Sequence, residues 1–171
     1  KYLNMIPNAE HTLTTGIFNV LESARSFFYA VVTGHPIPSM TWDKEYTETG
    51  GKLTVYMDTL PNRVRVWSAK TLSTKRRDYR LTILNETNPD QMILNPVIWY
   101  PSEATQVDER TYTAEFDSPD EGWLAFIIQV KFPGPIEGPL WDFLFTTEVL
   151  IIPNRLPFEK CKGAECCGSL I

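Results

Sequence analysis

From Ile17 onward, apolar residues recur at spacings of four and three. Ile17, Leu21, Ala24, Phe28 and Val31 form one stripe, and Glu22, Arg25 and Ser26 fall mostly off it. That is the period of an amphipathic helix. Thr14 or Thr15 can cap its start, and Gly34 followed by Pro36 supplies the stop. Ahead of it, Tyr2 to Ile6 reads as a short strand ended by Pro7-Asn8, with Ala9-Glu10-His11-Thr12 as a loop. After Pro36-Ile37-Pro38 the period switches to two and stays there. Strands are predicted at Thr41 to Tyr46, Lys52 to Met57, Arg63 to Ala69, Asp78 to Leu84, Val97 to Pro101, Thr111 to Phe116, Trp123 to Phe132 and Phe145 to Ile152. Alternation is clearest in Val64 and Val66 and in Leu53, Val55 and Met57. Short strands separated by turn residues, with no helix between them, predict a mostly β fold, an immunoglobulin- or fibronectin-like β-sandwich. The chain then divides into residues 1–36 (strand, histidine loop, helix), a sandwich over 37–158 and a cysteine-containing tail over 159–171. Pro133 to Pro139 is expected as a loop between the last two strands.

Composition narrows the function classes. A chain of 171 residues with 43% hydrophobic and 12% aromatic content can bury a core. A formal net charge of −5 leaves no basic surplus for phosphates, so nucleic acid and anionic membrane surfaces are not expected partners. No run approaches the roughly 18 consecutive apolar residues of a spanning helix. The sequence opens on Lys1-Tyr2-Leu3 without an initiating Met, which leads us to expect a processed or truncated product.

The cysteines Cys161, Cys166 and Cys167 lie together, and their odd number leaves one over if two close a loop. A disulfide among them needs an oxidising compartment. Zinc is the competing reading, but a closed site takes four ligands and no His lies near. Asn85-Glu86-Thr87 fits the N-glycosylation acceptor pattern. Both features point to a secreted protein or the secretory lumen. Nothing in the sequence calls for a cofactor or metal.

Among candidate chemical groups, His11 stands in the loop after a strand and before an amphipathic helix, where an α/β hydrolase carries its general base. The bland alternative is a loop histidine hydrogen-bonded to backbone. No Gly-x-Ser-x-Gly elbow and no strand-end Asp ahead of His11 occur in these residues. His35 reads as part of the helix stop. The run from Lys75 to Arg80 could hold an anion, but with Asp78 inside it a solvated turn with local pairing is the simpler reading. Asp117, Asp120 and Glu121 match no EF-hand spacing and suit turns. Of five tryptophans, Trp67 and Trp123 are expected between the sheets, and Trp141, on a loop, is the best exposed platform for a glycan.

The residues Tyr2-Leu3 followed by Pro7-Asn8-Ala9-Glu10-His11-Thr12-Leu13, then Val66-Trp67-Ser68-Ala69, Arg77-Asp78-Tyr79-Arg80, Gly122-Trp123-Leu124-Ala125-Phe126 and Phe145-Thr146-Thr147-Glu148-Val149 resemble the PhoPQ-activated pathogenicity-related family. The resemblance implies that this chain is the C-terminal part of a longer α/β-hydrolase-like protein, residues 1–36 being the end of the hydrolase-like domain. It implies that His11 is the triad histidine, serving a serine and an aspartate on the preceding segment, which is then the chain's principal partner. The helix would pack on that domain's sheet, and its stripe of Ile17, Leu21 and Phe28 would be adhesive if left uncovered. The substrate would be an ester or a peptide-like acyl compound. The alternative, implied by the family's repressor-like members, is a non-enzymatic secreted signal that engages a receptor or glycan.

Overall fold

A computed structural model describes residues 2–85, 87–88, 90–138 and 140–159. The three cysteines therefore lie outside the described residues. A 3-10 turn, Thr14–Gly16, leads into helix α1, Ile17–Thr33. The strands that follow are β1 Met40–Tyr46, β2 Gly50–Met57, β3 Arg63–Lys70, β4 Thr82–Leu84, β5 Met92–Leu94, β6 Tyr100–Glu103, β7 Thr105–Asp108, β8 Thr111–Asp117, β9 Leu124–Phe132, β10 Phe143–Thr146 and β11 Leu150–Ile152. The chain is thus mostly β, with a helix ahead of the strands.

The strands form antiparallel sheets. One runs β1-β2-β8-β7; the second runs β10-β9-β3-β6, with β11 also on β9; β4 and β5 form a separate ribbon. The two larger sheets share one core. From β2 come Leu53, Val55 and Met57; from β3, Val64 and Val66; from β9, Phe126, Ile128, Val130 and Phe132. These are the alternate residues of each strand, as a half-buried pleat requires. Gly51 is needed where the sheets approach, since a Cβ there would come within 2.8 Å of Ile152 Cγ2.

Several elements depart from the sequence reading. Tyr2 to Ile6 is not a strand: it lies extended beside β10, where Leu3 O accepts from Thr146 N (2.7 Å) and Met5 N donates to Thr146 Oγ1 (3.0 Å). Its hydrogen bonds run to one threonine, through backbone and side chain, and so build no ladder. The single strand expected over Phe145 to Ile152 is two, β10 and β11, on the same edge of β9. Between them buried Thr147 donates its N–H to Ile128 O (2.9 Å) and accepts from Ile128 N through Oγ1 (3.0 Å), so the side chain replaces a ladder acceptor. The strand expected from Asp78 keeps only Thr82–Leu84, because Asp78 and Arg80 fold onto each other instead of pairing outward. Strands β5 and β7 were not anticipated.

The helix ends as expected. Gly34 takes a left-handed conformation (φ 70°), and its N–H and that of His35 both reach Ala30 O. Its burial is inverted. The residues turned to the sheets are Glu22, Ser26 and Ala30, 5%, 0% and 1% exposed, while Ile17, Leu21, Phe28 and Val31 are 41%, 56%, 70% and 60% exposed. Glu22, Ser26 and Ala30 recur every four residues, so the polar and small side of α1 docks and the apolar side faces out.

Candidate functional site

The histidine loop is fastened at both ends by side chains. Asn8, in a left-handed conformation (φ 58°), clamps the backbone of Trp99: its Nδ2 donates to Trp99 O and its Oδ1 accepts from Trp99 N, both at 2.8 Å. Left-handed backbone is costly for most residues and cheaper for Asn. The clamp engages the backbone N–H and C=O of Trp99 and explains why the expected strand over Val97 to Pro101 begins only at Tyr100.

At the other end Glu10 organises the helix start. Its carboxylate accepts from Thr14 N (2.7 Å) and Thr15 N (3.3 Å) and from the hydroxyls of Thr12 and Thr15. Neither Thr14 nor Thr15 supplies the expected cap; no side-chain cap bond is made at the first helical position. Glu10 does that work from outside the helix, satisfying orphan N–H groups with a full negative charge. The Thr15 hydroxyl foremost, then that of Thr12, hold the Glu10 carboxyl far below the usual carboxylate range.

His11 stands between these two anchors, exposed, and its imidazole has no hydrogen-bond partner among the described residues. The loop's backbone is therefore fixed while the histidine is left available. Among the described residues no serine or carboxylate makes a hydrogen bond or ion pair to it.

Beside the loop runs an apolar groove of about 690 Å³, walled by the extended residues 2–6 and by α1. Tyr2 packs edge-on to Phe27 (5.3 Å) and against Phe145 (5.2 Å), tying the segment to both helix and sheet. Val20, Ala24, Phe28 and Val31 line the helix wall. Asn4 Oδ1, also at the groove, is buried without a hydrogen-bond partner among the described residues. Leaving such an acceptor unmet costs about 1–3 kcal/mol.

The remaining candidates fall elsewhere. Trp141 is half-buried, with the Arg25 guanidinium 3.6 Å above its ring and Tyr29 edge-on at 5.3 Å, so one face is occupied from within. Trp123 is buried and donates Nε1 to Arg155 O (3.1 Å). Trp67 does not lie between the sheets: it shares the outward parity of Arg63 and Arg65, opposite to buried Val64 and Val66. Asn85 Oδ1 accepts from Thr87 N (3.0 Å) and Thr87 Oγ1 (2.8 Å) at the end of β4. His35 is exposed at the helix stop, and Asp117 accepts from the Thr49 hydroxyl (2.6 Å). Within the basic run, Arg80 binds both oxygens of Asp78, whose carboxyl is held low chiefly by that hydrogen bond. Among the described residues no three His, Cys, Asp or Glu side chains gather as metal ligands, and no helix is long and apolar enough to cross a membrane.

Glu10 and Asn8 were missed as functional residues in the sequence reading. A signal existed for Asn8, since Pro-Asn marks a turn in which Asn tolerates a left-handed conformation. Glu10 precedes Thr14 by four residues, whereas a capping box places its Glu three residues after the capping Ser or Thr, so that pattern gave no signal for it.

The family profile described as PhoPQ-activated pathogenicity-related protein matches residues 1–80, the stretch that holds the histidine loop, α1 and the first three strands. Autocrine proliferation repressor protein A of Dictyostelium discoideum is 34% identical over 177 aligned residues, which cover 98% of this chain and 35% of that protein. The chain thus spans about a third of the length of this relative. No solved structure matches. By these two sequence matches the chain belongs to the PhoPQ-activated pathogenicity-related family.

Proposed function

We propose that this chain is the C-terminal portion of a secreted α/β-hydrolase-like protein, in which residues 1–36 complete the hydrolase-like domain and the sheets form an accessory sandwich. The observation that carries the reading is the inverted helix. A helix that docks Glu22 and Ser26 and turns Leu21, Phe28 and Val31 outward has its apolar face where another surface belongs. The apolar groove beside it lies on the same uncovered side. The occupant is the rest of the same polypeptide, because the relative is nearly three times as long as the stretch matched here.

In this reading His11 is the general base. A serine on the preceding segment supplies the nucleophile and attacks an acyl carbon, His11 takes its proton, and a carboxylate from the same segment sets the tautomer. The Asn8 and Glu10 anchors hold the loop backbone so that the imidazole meets that serine without reordering. The accessory part has the strand order of an immunoglobulin-type sandwich, A-B-E-D facing G-F-C-C′, with β1, β2, β8 and β7 opposite β10, β9, β3 and β6. Asn85 and the cysteines Cys161, Cys166 and Cys167 fit a secreted glycoprotein with a disulfide.

The test is a fluorophosphonate serine probe on the intact secreted protein. We expect one labelled serine and loss of labelling in His11→Ala with the fold retained. An intact protein that takes no label supports the second reading, an extracellular signal or binding protein, which the repressor name of the relative favours.

A further inference from the structure

The outward placement of Trp67 opens a cleft of about 300 Å³ between α1 and the outer face of the second sheet, sharing no lining residue with the apolar groove. From this cleft we infer a binding site for a carboxylate-bearing saccharide. Strand β3 contributes Arg63, Arg65 and Trp67, strand β9 contributes Gln129 and Lys131, strand β10 contributes Leu144, and the helix adds Asn19 and Glu22, whose charge is met by Lys131. The volume is at the lower end for small-ligand pockets and suits one sugar ring of a chain that continues into solvent.

The hydrogen bonds already made decide which groups remain for a ligand. Lys131 is taken: its Nζ lies 3.0 Å from Glu22 Oε1 and 3.0 Å from Asp142 Oδ2. Trp67 Nε1 donates to Gln129 Oε1 (3.0 Å). That bond fixes the plane of the indole and leaves the Gln129 amide N–H groups to donate elsewhere. Arg63 is 3.5 Å from Glu103 in an exposed pair, a weak hold. Arg65 stands in register with Gln129 on one side and Glu103 on the other, yet its guanidinium has no ion-pair or hydrogen-bond partner among the described residues.

A held aromatic plane beside planar donors is complementary to a pyranose, whose C–H face stacks on the ring while its hydroxyls accept at the rim. The unsatisfied guanidinium adds a fork that matches a carboxylate in two parallel hydrogen bonds. An acidic sugar uses both features at once. The site stands apart from His11 and holds under either reading of the protein's function.

The experiment is titration calorimetry of the intact protein with a galacturonic acid trisaccharide and with its methyl-esterified counterpart. We expect the free acid to bind, and the ester to bind at least about tenfold more weakly, since a charge-assisted hydrogen bond is lost. Arg65→Gln should weaken the free acid to the level of the ester, with the melting temperature and fluorophosphonate labelling unchanged. Trp67→Phe should weaken both sugars alike. Failure of the acid to bind, or binding that Arg65→Gln leaves intact, overturns the inference without touching the assignment of His11.

Discussion

At the residue scale, the histidine loop is held by two side chains other than the histidine, Asn8 and Glu10. Glu10 gives the clearest consequence. Its carboxyl is held far below its ordinary value by hydrogen bonds to Thr15 and Thr12. Its support of the loop is therefore complete above the unfolded value near pH 4.3 and fades as pH falls below it. Glu10→Gln keeps the shape and removes the charge. We expect amide exchange at Thr14 and Thr15 to quicken, with little change in the sheets, as read by hydrogen exchange followed by NMR. Lys131 works in the opposite sense. Burial is the largest influence and lowers its pKa, but hydrogen bonds to Asp142 and Glu22 together outweigh it and leave it raised. Its contribution is present below about pH 10.4 and is lost as pH rises past that point. Glu22→Ala should cost about 1–3 kcal/mol in denaturant unfolding, because it strips a buried partner from a charge.

The residues themselves were unevenly legible. His11 could be named from its place between a turn and a helical stripe, but its exposure and its two anchors could not, because Glu10 bonds across a non-helical loop and Asn8 reaches Trp99, 91 positions away. Trp67 was misplaced although its parity was readable. Val64 and Val66 alternate with Arg63 and Arg65, and Trp67 belongs to the arginines' side. The general preference of large aromatics for cores was allowed to outweigh the strand's own period.

At the scale of elements, periodicity carried far. The helix, its glycine stop and the long strands β1, β2, β3, β8 and β9 all follow from it. It failed where a side chain stands in for a backbone partner, as Thr146, Thr147 and Asn8 do, since such substitutions leave no periodic trace. It was also silent on which face of α1 docks. A stripe of large apolar residues reads as the side that meets a neighbour, and this one does not meet the sheets of this chain. The buried strand β9 anchors the core, so Ile128→Ala should cost about 2–5 kcal/mol by denaturant unfolding. The equivalent truncation on the helix, Phe28→Ala, should cost this chain alone less than about 0.5 kcal/mol, as an exposed site does.

At the scale of the whole molecule, these faces fit a surface that is internal in the longer protein proposed above. The apolar side of α1 and the groove along residues 2–6 form one uncovered region, while the core between the sheets is closed. Each large apolar side chain of α1 gains about 1.5–3 kcal/mol when fully covered. Introducing a charge at Leu21 should therefore disrupt the intact protein more than this chain by itself, and Leu21→Glu should lower the melting temperature of the intact protein more than that of this chain.

The most direct measurement is hydroxyl-radical footprinting of the intact protein, read residue by residue at Phe18, Leu21 and Phe28 with exposed Tyr100 as internal reference. We expect the helix side chains to be protected at least about tenfold relative to Tyr100, as buried surface is; oxidation of Leu21 and Phe28 at the pace their exposure in this chain allows would contradict the account.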